Sequence, residues 1–247
     1  MELAIDTSSN IVGIALSHKG GIISSLTWQT RHNHTTELLP NVMCLLQQTK
    51  VELSSIEAVI VARGPGSFSG LRVGLSSAKG LALTLQIPLL GIGTFEAEAY
   101  PFAPLGLPVR AIHRAGAQEF ATAVYRQRGA EWQCLEPENL ASIDTIWRRT
   151  KRKTLFCGEI PTDLISRMQQ NLHGRVAICP NDCVSRVSSL AMLAWGRLSR
   201  GEQDDPVTLQ PLYLRPPQIT KPKHRPTSLS ARIQERKQGN GNPTVGC

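Results

Sequence analysis

The chain has 247 residues, 41% of them apolar and 19% charged, a composition ordinary for a soluble globular protein and long enough for two small lobes. No apolar run reaches bilayer length, and the opening MELAIDTSSN carries Asp6 and no basic stretch, so we expect neither a membrane span nor a secretory leader and read the protein as cytoplasmic. The net charge of +8 admits a nucleic-acid partner, but residues 220–247 hold Lys221, Lys223, Arg225, Arg232, Arg236 and Lys237 against Glu235, so +5 lies there and only +3 in the body.

ELAIDTSSNIVGIALSHKGGIISSLTW reads as three short antiparallel strands, broken by turn signals at Ser8–Asn10 and Lys19–Gly21. HTTELLPNVMCLLQQTK follows as a helix with Leu38, Leu39, Val42, Leu45 and Leu46 on one stripe, Thr35 or Thr36 available as cap, and Pro40 in its first turns. Residues 57–62 form a buried strand, 67–86 a second helix, PLLGI (88–92) a strand and 94–100 a short helix. YPFAPLGLP (100–108) is rich in Pro and Gly and marks a boundary.

The pattern then restarts. VRAIHRA, EFATAVYRQ and EWQCLE are strand-like. They are followed by a helix ending in RRTKRK, the strand TLFCGEI, a helix in 162–171, the strand RVAIC and a helix over 185–200. Three strands followed by alternating helices and strands, twice over, predict an α/β protein of two RNase H-like lobes with mixed sheets and flanking helices, over 1–100 and 101–217. The segment 218–247 reads as a disordered basic tail, either a solvated end or a sequence-independent attractor for nucleic-acid phosphates.

RGPGSFSGLRVG (63–74) has the strand–glycine–helix grammar of a phosphate loop but misses both patterns. From Gly64 the second glycine of a Walker loop would fall at Ser69 with no Lys-Ser/Thr after it, and Gly64, Gly66 and Gly70 are spaced G-x-G-x-x-x-G. The glycines suit a tight corner stiffened by Pro65, with Ser67 as N-cap. Along the helix, Gly70, Gly74 and Ala78 recur every four residues. Such a face implies a closely approaching backbone, from the same lobe or from another subunit.

Asp6-Thr7-Ser8-Ser9 ends the first strand and is the second candidate. In the actin and sugar-kinase class an acidic, hydroxyl-rich turn here lies near phosphate and metal, so Asp6, Thr7 and Ser8 are candidate nucleotide-proximal residues and an ATP-binding enzyme of that class is the alternative reading. No histidines stand four apart, and His32 and His34 read as local hydrogen-bonders before the first helix. Cys44, Cys134, Cys157, Cys179, Cys183 and Cys247 are scattered; the C-x3-C pair at 179 and 183 lacks a second ligand pair, so we read reduced cysteines. No nucleophile–base pair for a protease is recognisable.

LAIDTSSNIVGIAL, HTTELLPNVMCLL and VIVARGPGSFSGLRVGLSSAKGLAL together resemble the TsaB (YeaZ) family, and LQPLYLRPPQIT resembles its closing segment. The resemblance implies two lobes of the actin-like ATPase (ASKHA) fold. It also implies a non-catalytic subunit that activates a TsaD-like catalytic paralogue, with a TsaE-like ATPase. Together these transfer a threonylcarbamoyl group to N6 of the adenosine 3′ of the anticodon in tRNAs reading ANN codons. The family's interface, with TsaD or in a homodimer, would carry over to Leu38, Leu39, Val42, Phe68, Gly70, Leu71, Gly74, Leu75 and Ala78. ATP and metal would belong to the partner subunits, and no catalytic, cofactor or metal residue is expected here. GTFEAEAY has no histidine where TsaD carries a His-x3-His motif. VRAIHRAG departs from the family in placing His113 on the strand that opens the second lobe, and the basic tail has no family counterpart.

Overall fold

Two five-stranded mixed sheets carry the same strand order. The structure, a computed structural model, describes residues 1–31, 33–179 and 186–215; His32, Cys183 and the basic tail lie outside them. The first sheet contains β1 (Glu2–Asp6), β2 (Ile11–His18), β3 (Gly21–Gln29), β4 (Ala58–Gly64) and β5 (Leu89–Gly93), ordered β3-β2-β1-β4-β5. The second contains β6 (Val109–Arg114), β7 (Glu119–Arg128), β8 (Glu131–Ser142), β9 (Thr154–Cys157) and β10 (Val176–Ile178), ordered β8-β7-β6-β9-β10. In each, an antiparallel meander precedes two parallel strands: Asp6 pairs with Gly13 antiparallel while Leu3 pairs with Val59 parallel. The RNase H-like order expected from the sequence is thus present in both sheets.

Strand alternation divides each sheet into two buried faces. Leu3, Ile5, Val59 and Val61 face helices α1 (His34–Thr49) and α2 (Phe68–Leu85) and pack with Leu38, Val42, Leu45 and Leu75. The alternate residues Ala4, Ile60, Ala62 and Leu90 meet α6 (Arg186–Leu198) through Val187, Leu190, Ala191 and Ala194. Small residues on both sides let this helix lie close. On the second sheet, Ile112, Phe120 and Phe156 pack against α4 (Ile143–Arg149) and α5 (Thr162–Leu172), and Ala111 and Ala123 pack against Phe95 and Ala99 of α3 (Thr94–Ala99).

The strands of the first sheet all precede residue 101 and those of the second all follow it. Met1–Arg215 form one compact unit, because α6 returns to the first sheet and the segment after it stays there. Leu209 joins the first sheet's core, Asp204 N donates to Leu89 O, and Leu212 N donates to Arg63 O. The boundary stretch is itself ordered, with a 3-10 helix at Tyr100–Leu105.

One local expectation is corrected. Helix α1 is capped at Asn33, not at a threonine; Thr36 Oγ1 instead donates back to Asn33 O at 3.1 Å. Pro40 lies in the second turn, and the helix continues through it. Ser67 does cap α2, accepting from Gly70 N.

Candidate functional site

Parallel strands bring their carboxyl ends to one edge of a sheet, where open α/β folds gather ligands. In the first sheet that edge carries Asp6 at the end of β1 and Gly64 at the end of β4, so the two candidate motifs of the sequence meet in space. Their contact is intimate. Ser67 N donates to Ser8 O at 2.7 Å, and Thr7 Oγ1 donates to Gly70 O at 2.8 Å. A Cβ on Gly66 would lie 2.3 Å from Ser8 O, one on Gly70 2.1 Å from Thr7 O, and one on Gly74 2.2 Å from Thr7 Oγ1. Gly64 has φ +109 and faces Leu212 O on its other side. The closely approaching backbone implied by the glycine face is therefore the Asp6–Ser8 turn of the same sheet.

Asp6, Thr7 and Ser8 are buried and internally bonded. Asp6 Oδ1 accepts from Ser8 N at 2.9 Å and from Ser8 Oγ at 2.5 Å. Asp6 Oδ2 accepts from Arg186 Nε at 2.7 Å, and a second guanidinium nitrogen donates to Ser9 Oγ at 2.6 Å. The carboxylate that the sequence offered to a nucleotide thus already holds a cation from the chain itself.

Arg186 extends the charge pairing toward the second sheet. Its Nη1 lies 3.8 Å from Glu98 Oε1 on α3, while Glu98 Oε2 contacts His113 Nε2 on β6 at 2.6 Å. Glu159 stands 4.0 Å from the other imidazole nitrogen. Burial pushes the Arg186 pKa down, but Asp6 and Glu98 outweigh it, and the net shift is upward. Burial likewise lowers His113, but the charge and hydrogen bond of Glu98, assisted by Glu159, bring the net shift above the ordinary histidine value. The result is a buried alternating chain, Asp6–Arg186–Glu98–His113, that links both sheets. Sequence reasoning singled out Asp6 and His113 separately. It missed Arg186 and Glu98, for which no spacing signal existed.

The nine expected interface residues separate by burial. Leu38, Val42, Gly70, Leu71, Gly74, Leu75 and Ala78 are buried within the chain, where they form the seam between α1, α2 and the sheet. Leu39 (48% exposed) and Phe68 (37%) face outward. So do residues the sequence reading did not name, Met43 on α1 (56%) and Leu83 on α2 (60%). Both helices cover the same face of the first sheet.

No cluster of three or more His, Cys, Asp or Glu suited to a metal ion exists among the described residues, and no helix there is long and apolar enough to cross a membrane.

Comparison with known proteins follows the same outline. The family model described as "TsaD: tRNA N6-adenosine threonylcarbamoyltransferase" matches residues 10–213. The "tRNA threonylcarbamoyladenosine biosynthesis protein TsaB" of Bacillus subtilis (strain 168) is 29% identical over 175 residues, 70% of this chain and 76% of that protein. The Escherichia coli (strain K12) protein of the same name is 38% identical over 97 residues, 39% of this chain and 42% of that one. The solved structure "YeaZ from Pseudomonas aeruginosa" superposes with a TM-score of 0.70 at 25% identity, covering 86% of this chain and 99% of that chain.

Proposed function

This chain belongs to the TsaD family, on its TsaB (YeaZ) side, and from that premise we propose that it serves threonylcarbamoyladenosine synthesis on tRNA as a non-catalytic subunit. Its task is to hold a TsaD-like catalytic partner in working form. The partner, together with a TsaE-like ATPase, carries the ATP and metal chemistry and transfers the threonylcarbamoyl group to N6 of the adenosine 3′ of the anticodon in tRNAs reading ANN codons.

The observation that carries this reading is the division of labour between the inner and outer sides of α1 and α2. Their small-residue seam and the Asp6–Ser8 turn consume one another's bonding capacity, whereas Leu39, Met43 and Leu83 stand exposed on the outer side. Large apolar side chains left exposed on helices are typical of surfaces that bury against another protein. The same face serves a homodimer when the partner is absent.

Co-purification with a TsaD-like subunit tests the proposal. The wild type should form the complex and restore threonylcarbamoyl transfer to tRNA while showing none alone. Met43→Glu with Leu83→Glu should abolish both, with an unchanged circular dichroism spectrum. Transfer by the chain alone would overturn the non-catalytic reading, and an intact complex in the double variant would overturn the surface.

A further inference from the structure

The flank of α2 that faces away from α1 borders a cavity of about 280 Å³, closed on its other side by the segment 209–213. Both walls are fixed. Leu209 is buried in the first sheet's core together with Leu75, and Leu212 N is bonded to Arg63 O at 2.7 Å. The α2 wall presents Arg72, Ser76 and Lys79, at positions i, i+4 and i+7 on one helix face, and the opposite wall presents Gln210 and Tyr213. No carboxylate lines the cavity.

Arg72 is held in place by neutral groups. Its guanidinium carbon lies 3.9 Å from the centroid of the Phe68 ring, the Phe68 and Tyr213 rings meet tilted with centroids 4.9 Å apart, and Arg72 Nε donates to Tyr213 Oη at 3.2 Å. Neither Arg72 nor Lys79 makes an ion pair among the described residues. Asp205 feels the charge of Lys79 but bonds mainly to the backbone of Val207. A guanidinium pre-oriented by aromatic packing, with donors still unused, is what planar recognition of an oxyanion needs. Ser76, Gln210 and Tyr213 add hydrogen-bonding groups that suit the ester oxygens of the same ligand.

We propose that this cavity binds a phosphate ester, with Arg72 as the oriented fork and Lys79, two turns along the helix, as the second positive charge. The site lies on the side of α2, apart from the glycine corner and the Asp6 turn. The ligand chemistry has two sources, a free phosphate ester or a backbone phosphate of RNA, and the probes separate them.

The full chain is titrated at low salt with inorganic pyrophosphate by calorimetry, and with a labelled five-nucleotide RNA by anisotropy. Wild type, Arg72→Gln/Lys79→Gln and the surface control Lys151→Gln are compared, with urea midpoints verifying the fold. The double variant should lose about tenfold or more in affinity for at least one probe while the control stays near wild type. Loss with pyrophosphate assigns a free phosphate group, and loss with RNA alone assigns a backbone phosphate. Wild-type protein that binds neither probe, or a double variant that binds both as wild type does, overturns the site.

Discussion

The guanidinium of Arg186 donates to the carboxylate of Asp6 at 2.7 Å, joining the first turn of the last helix to the last residue of the first strand. Both side chains are largely buried, so the pair has little water to fall back on. Removing one partner leaves the other charge unpaired in a low-dielectric site. Arg186→Met should therefore destabilise the fold by about 3–5 kcal/mol, read as a shift in the urea midpoint, whereas the exposed Arg200→Met should change it little. Equal effects of the two would refute the pairing as a structural tie.

His113 gives this chain of charges a pH dependence. Its folded pKa is raised, so the folded state binds the proton more tightly than the unfolded state, whose value is about 6.5. The resulting stabilisation is fully present below about pH 6.5 and is lost as pH rises through the folded value. Stability of the wild type, measured by urea unfolding from pH 5 to 9, should fall across that window relative to His113→Gln. A flat difference between the two would contradict the Glu98–His113 contact.

Two glycines of α2 should respond in opposite directions to the same substitution. Gly80 is exposed with nothing within 4 Å of a Cβ, so Gly80→Ala should stabilise by roughly 0.5–1 kcal/mol through helix propensity alone. Gly74→Ala would drive a methyl against Thr7 Oγ1, itself bonded to Gly70 O, and should destabilise by roughly 1–3 kcal/mol. Thermal or urea midpoints decide it. A charged residue at position 74 would consequently report on folding before it reported on any partner.

Cysteine accessibility should follow burial. Cys44 and Cys134 are exposed, whereas Cys157 is buried and its thiol is pushed up by desolvation, with Glu98 adding to the rise. Iodoacetamide treatment of the folded chain followed by peptide mapping should label Cys44 and Cys134 and spare Cys157 until denaturant is added. Cys44 lies on the outer side of α1, so a partner covering that helix should protect it selectively.

The basic segment 220–247 carries a prediction that rests on its charge alone. Truncation after Arg215 should lower tRNA affinity and flatten its salt dependence, because fewer phosphate contacts release fewer counterions. Unchanged binding at low salt would remove the tail from tRNA recognition.

Much of the fold was legible because strand and helix periodicities are local. ELAID and AVIVARG carry apolar residues on both faces, as strands covered by helices on each side must. The glycine corner could likewise be read as a turn launching a helix, and its failure to match a phosphate pattern was visible in its spacing. The site was less legible. That Gly70 and Gly74 make room for Thr7, and not for another subunit, depends on residues more than sixty positions away. The outward side of the same helices was less legible for a related reason. An apolar stripe marks what is buried, and here that burial is within the chain, while Met43 and Leu83 off the stripe form the exposed surface.

The sequence by itself determined the repeated strand–helix order, the tight corner at Gly64–Gly66 and the family to which the chain belongs, since each depends on neighbours a few residues apart. Only the tertiary structure decided what stands opposite each special residue: Thr7 against the glycines, Arg186 against Asp6, Glu98 against His113. A glycine records that space is needed and a carboxylate that a charge must be balanced. Which group fills the space or balances the charge depends on how α6 returns to the first sheet, and that return is set by long-range packing.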